Sequence, residues 1–318
     1  MRTTALAAIL VLASCHARAP APAEPPPEPA PAAEPPPPAP PPAPAADGLR
    51  HVQVSLSGAL ETAFVAQLGR DLGAPLTQVV TRSLVWWVSV PGDLKRGDLI
   101  DVLYSERAGA EPVVHAVRFR SEKAGRTFAA YRFQPAGAPF ARFYTRDGQE
   151  LELRLRDAPL DDYEQVTSRL RDGRNHKGID FRTPAGSPVK APFDAVIARR
   201  TWNFRANGNC LELREQGGAG RGVYFLHLSE LPADIHVGDH VKKGQIVARS
   251  GNTGHSFAPH LHYQLMTSGG ALLDPFTSEP TFRQAMPEAD RPRFEDEMRR
   301  LDALLPAEPQ LAAATTPR

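Results

Sequence analysis

The sequence predicts a mainly β protein, with a C-terminal all-β domain built on an antiparallel sheet and a smaller α+β domain before it. Three observations carry this. Short apolar runs broken by Gly and Pro crowd the stretch from Leu160 to Phe276. Upstream, apolar residues first recur at helical spacing (Leu60, Phe64, Leu68) and later alternate at strand spacing (Leu151, Leu153, Leu155). The prolines are unevenly placed: 15 of the 33 lie between Pro20 and Pro44, so one stretch is abnormal and the rest of the 318 residues has the composition of a folded chain.

Taken in order, residues 1–14 read as an export leader, with Arg2 supplying positive charge and Ala5 to Leu12 a short apolar core. Leu12-Ala13-Ser14-Cys15 resembles the lipobox of bacterial lipoproteins, which implies cleavage before Cys15 and acylation of its sulfur. The competing reading is an ordinary secretory signal with an incidental cysteine. His16 rather than Asp follows Cys15, so the retention signal that would hold such a protein at an inner membrane is absent. This places the chain in the cell envelope, anchored to a membrane (an outer membrane by expectation) and facing the periplasm. Residues 15–48 are almost wholly Pro, Ala and Glu, a spacer that leans to polyproline II because it cannot bury enough apolar surface to offset ordering.

Residues 49–159 form the α+β unit. Leu60, Phe64 and Leu68 suit a helix closed at Gly69, and Leu76, Val79, Val80 and Leu84 a second one. Strands follow at Val113–Arg120 and Arg126–Phe133. A hairpin of Phe140–Thr145 and Gln149–Arg156 turns at Asp147-Gly148, with Glu152, Arg154 and Arg156 on its wet face. Trp86-Trp87 is expected in the core, glycan stacking being the rival role; on a strand the two rings would point opposite ways. Residues 160–280 form the all-β unit. Residues 281–318 carry a helix with Phe294, Met298, Leu301 and Leu305 on one face, then a tail.

Composition excludes several functions. Lys plus Arg (37) against Asp plus Glu (36) leaves a net charge of +1, too little basic excess for a nucleic-acid binder driven by counterion release. No apolar run reaches the ~18 residues of a spanning helix. Cys15 and Cys210 are the only cysteines, which rules out a disulfide framework and leaves Cys210 as a buried, unpaired thiol.

Four of the ten histidines and one aspartate form a readable set. His176 and Asp180 lie four apart, but Gly178 and Pro184 argue against a helix; His176 ends a loop and Asp180 opens a strand. His260 and His262 share one face of a strand, a common metal-binding device. His227 sits in the apolar run Tyr224 to Leu228, where an unsatisfied imidazole is costly. His51, His115, His236, His240 and His255 carry no such pattern.

In this order, with Thr183-Pro184-Ala185-Gly186-Ser187-Pro188-Val189, Ser250-Gly251-Asn252-Thr253-Gly254 and Leu273-Asp274-Pro275-Phe276 around them, these residues resemble the lysostaphin/LytM-type zinc metallopeptidases. The likeness runs from about Tyr163 to Phe276, and Trp86-Trp87 with Arg96-Gly97-Asp98 resembles an accessory domain of some exported members. The resemblance implies that His176, Asp180 and His262 hold Zn²⁺, three protein ligands leaving one tetrahedral position open as catalysis requires. It implies that His260 and His227 deprotonate water and stabilise an oxyanion, His260 as base and His227 as stabiliser, the two roles being interchangeable. No HExxH is present, so an imidazole must serve as base. Asn209 is taken as a substrate contact, although Thr201–Asn209 carries no diagnostic pattern. The implied activity is hydrolysis of peptide crosslinks in peptidoglycan, with the D-Ala–diaminopimelate bond the expected target. The alternative is a silent regulator that activates cell-wall amidases, which requires broken ligands. The α+β unit is expected to cover the groove.

Overall fold

A computed structural model describes residues 48–172 and 175–307; the leader, Cys15, the Pro/Ala-rich spacer and the last residues of the tail lie outside the described residues. No helix among the described residues is long and apolar enough to cross a membrane.

The first sheet has five antiparallel strands in the order β1 (Arg50–Ser55), β2 (Leu99–Ser105), β3 (Val113–Ser121), β4 (Arg126–Phe133), β5 (Arg142–Tyr144). Strand alternation gives it two buried faces. Val52, Val54, Ile100, Val102, Val117 and Phe119 pack under α1 (Leu60–Leu68) and α2 (Arg70–Leu84), against Phe64, Leu76 and Val80. Leu103, Ala116, Tyr131, Phe133 and Tyr144 form the other face. The C-terminal helix α5 (Arg291–Asp302) covers that second face, with Phe294 fully buried among the rings of Tyr131, Phe133 and Tyr144. The helix read as a separate C-terminal element therefore closes the core of the first sheet.

The second sheet is also antiparallel. Its strands are β7 (Gln165–Ser168), β8 (Ile179–Arg182), β10 (Ala195–Arg200), β11 (Asn209–Glu215), β12 (Gly222–Leu228), β13 (His240–Val241), β15 (His260–Met266) and β16 (Leu272–Leu273). Their order is β13-β10-β11-β12-β15-β8-β7, with β16 beside β15. A two-stranded sheet of β9 (Pro188–Lys190) and β14 (Ile246–Arg249) brings Val189 and Val247 into the same core as Ile197, Leu213, Phe225 and Leu261. Short helices α3 (Phe204–Asn207) and α4 (Pro275–Ser278) lie in its connections, and β6 (Arg154–Leu155) pairs with β17 (Thr281–Phe282).

The reading of the hairpin is corrected. The Asp147-Gly148 turn forms, but its second arm is no continuous strand: after the Tyr144–Glu150 bridge the chain leaves β5, and only Arg154–Leu155 pairs again, with β17. Of its charged side only Arg156 is exposed as expected. Glu150, Glu152 and Arg154 are buried, because Arg154 makes two hydrogen bonds to the Glu150 carboxylate (2.8 and 2.7 Å) and the main chain of Val166 donates to Glu152 (3.0 Å). The buried Arg154–Glu150 charges persist because they are paired in this way. Trp86 and Trp87 lie on turns after α2 and pack, partly buried, against the hydrophobic cores as expected. Trp86 meets Phe276 edge-on at 5.0 Å and Trp87 stacks on Phe128 at 5.4 Å. Cys210 is buried and free.

Candidate metal centre

Strand alternation sorts the site residues. On β15, Leu261, Tyr263 and Leu265 point into the core, so His260 and His262 share the opposite face. On β8, Ile179 and Phe181 are core residues and Asp180 emerges on that same face. The register sets His262 directly across from Asp180. His176 arrives from the loop before β8. Gly178 is required here: a Cβ on it would fall 2.4 Å from the Tyr263 carbonyl oxygen and 2.9 Å from His262 Nε2. Only glycine lets the chain pass against the buried imidazole.

Three donor atoms converge. His262 Nδ1 lies 2.9 Å from Asp180 Oδ1, His176 Nε2 lies 3.2 Å from that oxygen, and the two nitrogens are 3.1 Å apart. These three residues form the candidate metal-binding group among the described residues. A tetrahedral ion with ligands at about 2.0–2.1 Å separates neighbouring donors by roughly 3.3 Å, close to this triangle. The chemistry of the set agrees. His176 Nδ1 lies 3.1 Å from the Arg169 carbonyl and 2.8 Å from Ser168 Oγ, which donates its own hydrogen to Asp172. A carbonyl can only accept, so Nδ1 carries the proton and Nε2 points a lone pair into the cage. Two nitrogens and a carboxylate oxygen facing one another at this range fit a shared cation.

His260 and His227 line the same hollow. His260 Nδ1 donates to the Ala258 carbonyl (2.8 Å), leaving Nε2 as a lone pair 3.8 Å from Asp180 Oδ1. His227 Nδ1 donates to the Thr253 carbonyl (2.9 Å), and the His227 and His260 rings are 4.8 Å apart. A β-bulge aims His227. Between Asn209 and Leu211 the register against β12 slips, and His227 takes φ +63°, a left-handed conformation rare for a non-glycine residue. The Ser250–Gly254 loop lies flat on this bulge, close enough that a Cβ on Gly251 would stand 2.3 Å from the Ser229 nitrogen. Asn209 ties down the same loop: its main-chain N–H donates to Thr253 Oγ1 (3.0 Å), and its amide donates to the Ser229 carbonyl (3.4 Å).

Electrostatics follow the contacts. Burial opposes ionisation of Asp180, but hydrogen bonds and charge from His176 and His262 outweigh it and hold the carboxyl well below the usual range. Burial also works against a charged His176, yet Asp180 raises its pKa overall. Burial dominates at His262, lowering it, and at His227, pushing it down to about 4.

The structure thus brings together His176, Asp180, His227, His260 and His262, with Asn209 one loop away. Ser168, the Arg169 carbonyl, Asp172 and the Thr253 and Ala258 carbonyls are positioning groups that carried no sequence signal, since a carbonyl can come from any residue. His236, His240 and His255 are exposed, His240 on the short β13; His51 bonds Asp101 and His115 bonds Ser105.

Comparison with known proteins agrees with this geometry. An uncharacterised metalloprotease of Haemophilus influenzae is 29% identical over 266 residues, covering 79% of this chain and 53% of that protein. The peptidoglycan DD-endopeptidase ShyA of Vibrio cholerae is 26% identical over 272 residues, covering 81% of this chain and 61% of that protein. The chain therefore spans somewhat over half the length of these relatives. The solved catalytic domain of lysostaphin from Staphylococcus simulans is 39% identical, covering 32% of this chain and 77% of that one, with a TM-score of 0.30. Residues 174–275, which contain all five converging side chains, match the family model described as Peptidase family M23, and this segment of the chain is a domain of that family.

Proposed function

We propose that the protein is a zinc-dependent endopeptidase that hydrolyses peptide crosslinks of bacterial peptidoglycan, with the D-Ala–diaminopimelate bond as its target. One observation carries the reading: a complete His176, Asp180, His262 donor set faces two further imidazoles whose Nε2 atoms are free to take a proton. The naming of ShyA as a peptidoglycan DD-endopeptidase supports the substrate class. The regulator alternative requires lost ligands, and this chain retains them all.

When bound, zinc would supply Lewis acidity for a scissile carbonyl and acidify water near neutrality. The residues do the rest. His176 is held by Ser168 and the Arg169 carbonyl, so its lone pair is aimed before any ion arrives. His260, whose Nε2 lies 3.8 Å from Asp180, takes the proton from the nucleophile at Nε2; its Nδ1–H stays on Ala258. His227 is kept neutral by burial, and its ring, 4.8 Å from that of His260, lines the side of the hollow where negative charge develops, which assigns it the stabilising role. We assign Asn209 a contact with the peptide stem; its place beside the Thr253 loop supports this.

We further propose that Cys15 is acylated and anchors the protein in the envelope facing the periplasm, its apolar leader and lipobox supporting this. Loss of acyl labelling in Cys15→Ala tests the anchor. Incubation of the purified full chain with sacculi tests the activity. Uncrosslinked muropeptides should appear, and a chelator should stop their release. No release under any metal condition would overturn the proposal.

A further inference from the structure

Arg169, five residues before the segment matched by the family, joins two parts of the molecule. Its guanidinium reaches away from the sheet: Nη1 donates to the Val85 carbonyl (3.0 Å) on the turn after α2, and Nη2 donates to Asp274 (3.2 Å), the residue that caps α4. It lies 5.0 Å over the Trp86 ring and 5.5 Å over the Phe276 ring, and those two rings meet edge-on. Its main-chain oxygen faces the other way and accepts from His176 Nδ1. The same residue therefore grips the turn after α2 and orients a donor of the metal cage. Its neighbour Ser168, at the end of β7, holds the same nitrogen. A planar guanidinium resting against two touching rings and held by two directed hydrogen bonds has little freedom to move without carrying its own backbone along.

We infer that Arg169 is a positioning residue for the metal centre, coupling the seating of the α2 turn to the direction in which His176 presents Nε2. The inference rests on the zinc reading above. Release of the clamp lets the Ser168–Arg169 backbone relax, and His176 loses its fixed angle. Coupling of this kind is reciprocal, so zinc binding should in turn tighten the turn after α2.

The test is zinc affinity of the metal-stripped full chain, read by competition with a chromophoric chelator. Arg169→Ala should weaken binding by about 10- to 100-fold, the range for groups that orient a metal ligand. Arg169→Lys should fall between, because it keeps the charge and loses the fork. Trp86→Ala, which removes one stacking wall and leaves Arg169 in place, should weaken binding by a smaller factor and carries the test if Arg169→Ala fails to fold. Glu111→Gln is the control. Glu111 bonds both Arg82 on α2 and Arg182 on β8, so it spans the same two parts without reaching His176, and it should leave zinc affinity unchanged. A second readout is amide exchange: zinc should slow exchange across residues 84–88 in the parent and not in Arg169→Ala. Zinc affinity within twofold of the parent in Arg169→Ala, or an equal loss in Glu111→Gln, overturns the inference while leaving the metal reading intact. A parent chain that takes up no zinc sinks the metal reading and this inference together.

Discussion

Glu152 is fully enclosed, its carboxyl sharing one hydrogen bond with the Val166 N–H, with the Glu150 carboxylate nearby. Burial first, and then Glu150, push its pKa up to about 8 from 4.5 in an exposed chain. The folded protein therefore keeps a proton that the unfolded chain releases. The sign follows from proton linkage: the stability associated with this proton is fully present below pH 4.5 and is lost as pH rises through 8. Each tenfold gain in proton affinity on folding corresponds to about 1.4 kcal/mol, so the folded state loses about 3 kcal/mol between pH 4 and 7 through this group, and roughly 4 to 5 kcal/mol once pH passes 8. Glu152→Gln removes the titration and keeps an oxygen for the Val166 N–H. Urea denaturation of parent and variant at pH 5, 7 and 8.5 should show the variant gaining on the parent as pH rises, by about 4 kcal/mol across the series. A stability difference that stays flat with pH, or one that favours the parent more at high pH, would refute the reasoning.

Other outcomes follow from the same structure. Phe294→Ala should destabilise the fold by about 3 to 5 kcal/mol in chemical denaturation, since it empties the ring cluster under α5; a loss below about 1 kcal/mol would mean that the helix is dispensable to the first sheet. Gly178→Ala should leave the protein folded by circular dichroism but lower its zinc affinity at least tenfold, because the new methyl must displace the Tyr263 carbonyl or the His262 ring. Unchanged affinity would show that the close approach there is not tight. His227→Ala and His260→Ala should each retain zinc and lose turnover on sacculi. A zinc-free His227→Ala protein with His262 intact would contradict the division into ligands and auxiliary rings.

The site was legible because period-2 alternation needs only local sequence: apolar Leu261, Tyr263 and Leu265 dictate that His260 and His262 face together, and Ile179 and Phe181 do the same for Asp180. The loops that aim His176 and His227 were not legible, since their work is done by carbonyls of Arg169 and Thr253 and by a bulge, none of which has a side-chain signature. Alternation failed at Glu152 and Arg154 for a different reason. It identifies two faces but cannot tell that a distant segment covers the second one, and here β17 pairs at Arg154–Leu155 while Arg283 donates to the Glu150 carbonyl (3.0 Å). The same limit applied to α5, whose apolar stripe was visible although its destination across the first sheet was not. At α2 the apolar spacing from Leu76 onward marks only the later turns; the helix begins at Arg70 and accommodates Pro75 near its start.

Zinc content of the extensively dialysed full chain, measured beside that of His262→Ala, tests the central claim most directly. The account predicts a stoichiometric zinc ion in the parent and essentially none in the variant, because His262 is the buried corner of the donor triangle. Equal metal in both proteins, or none in the parent, would contradict it.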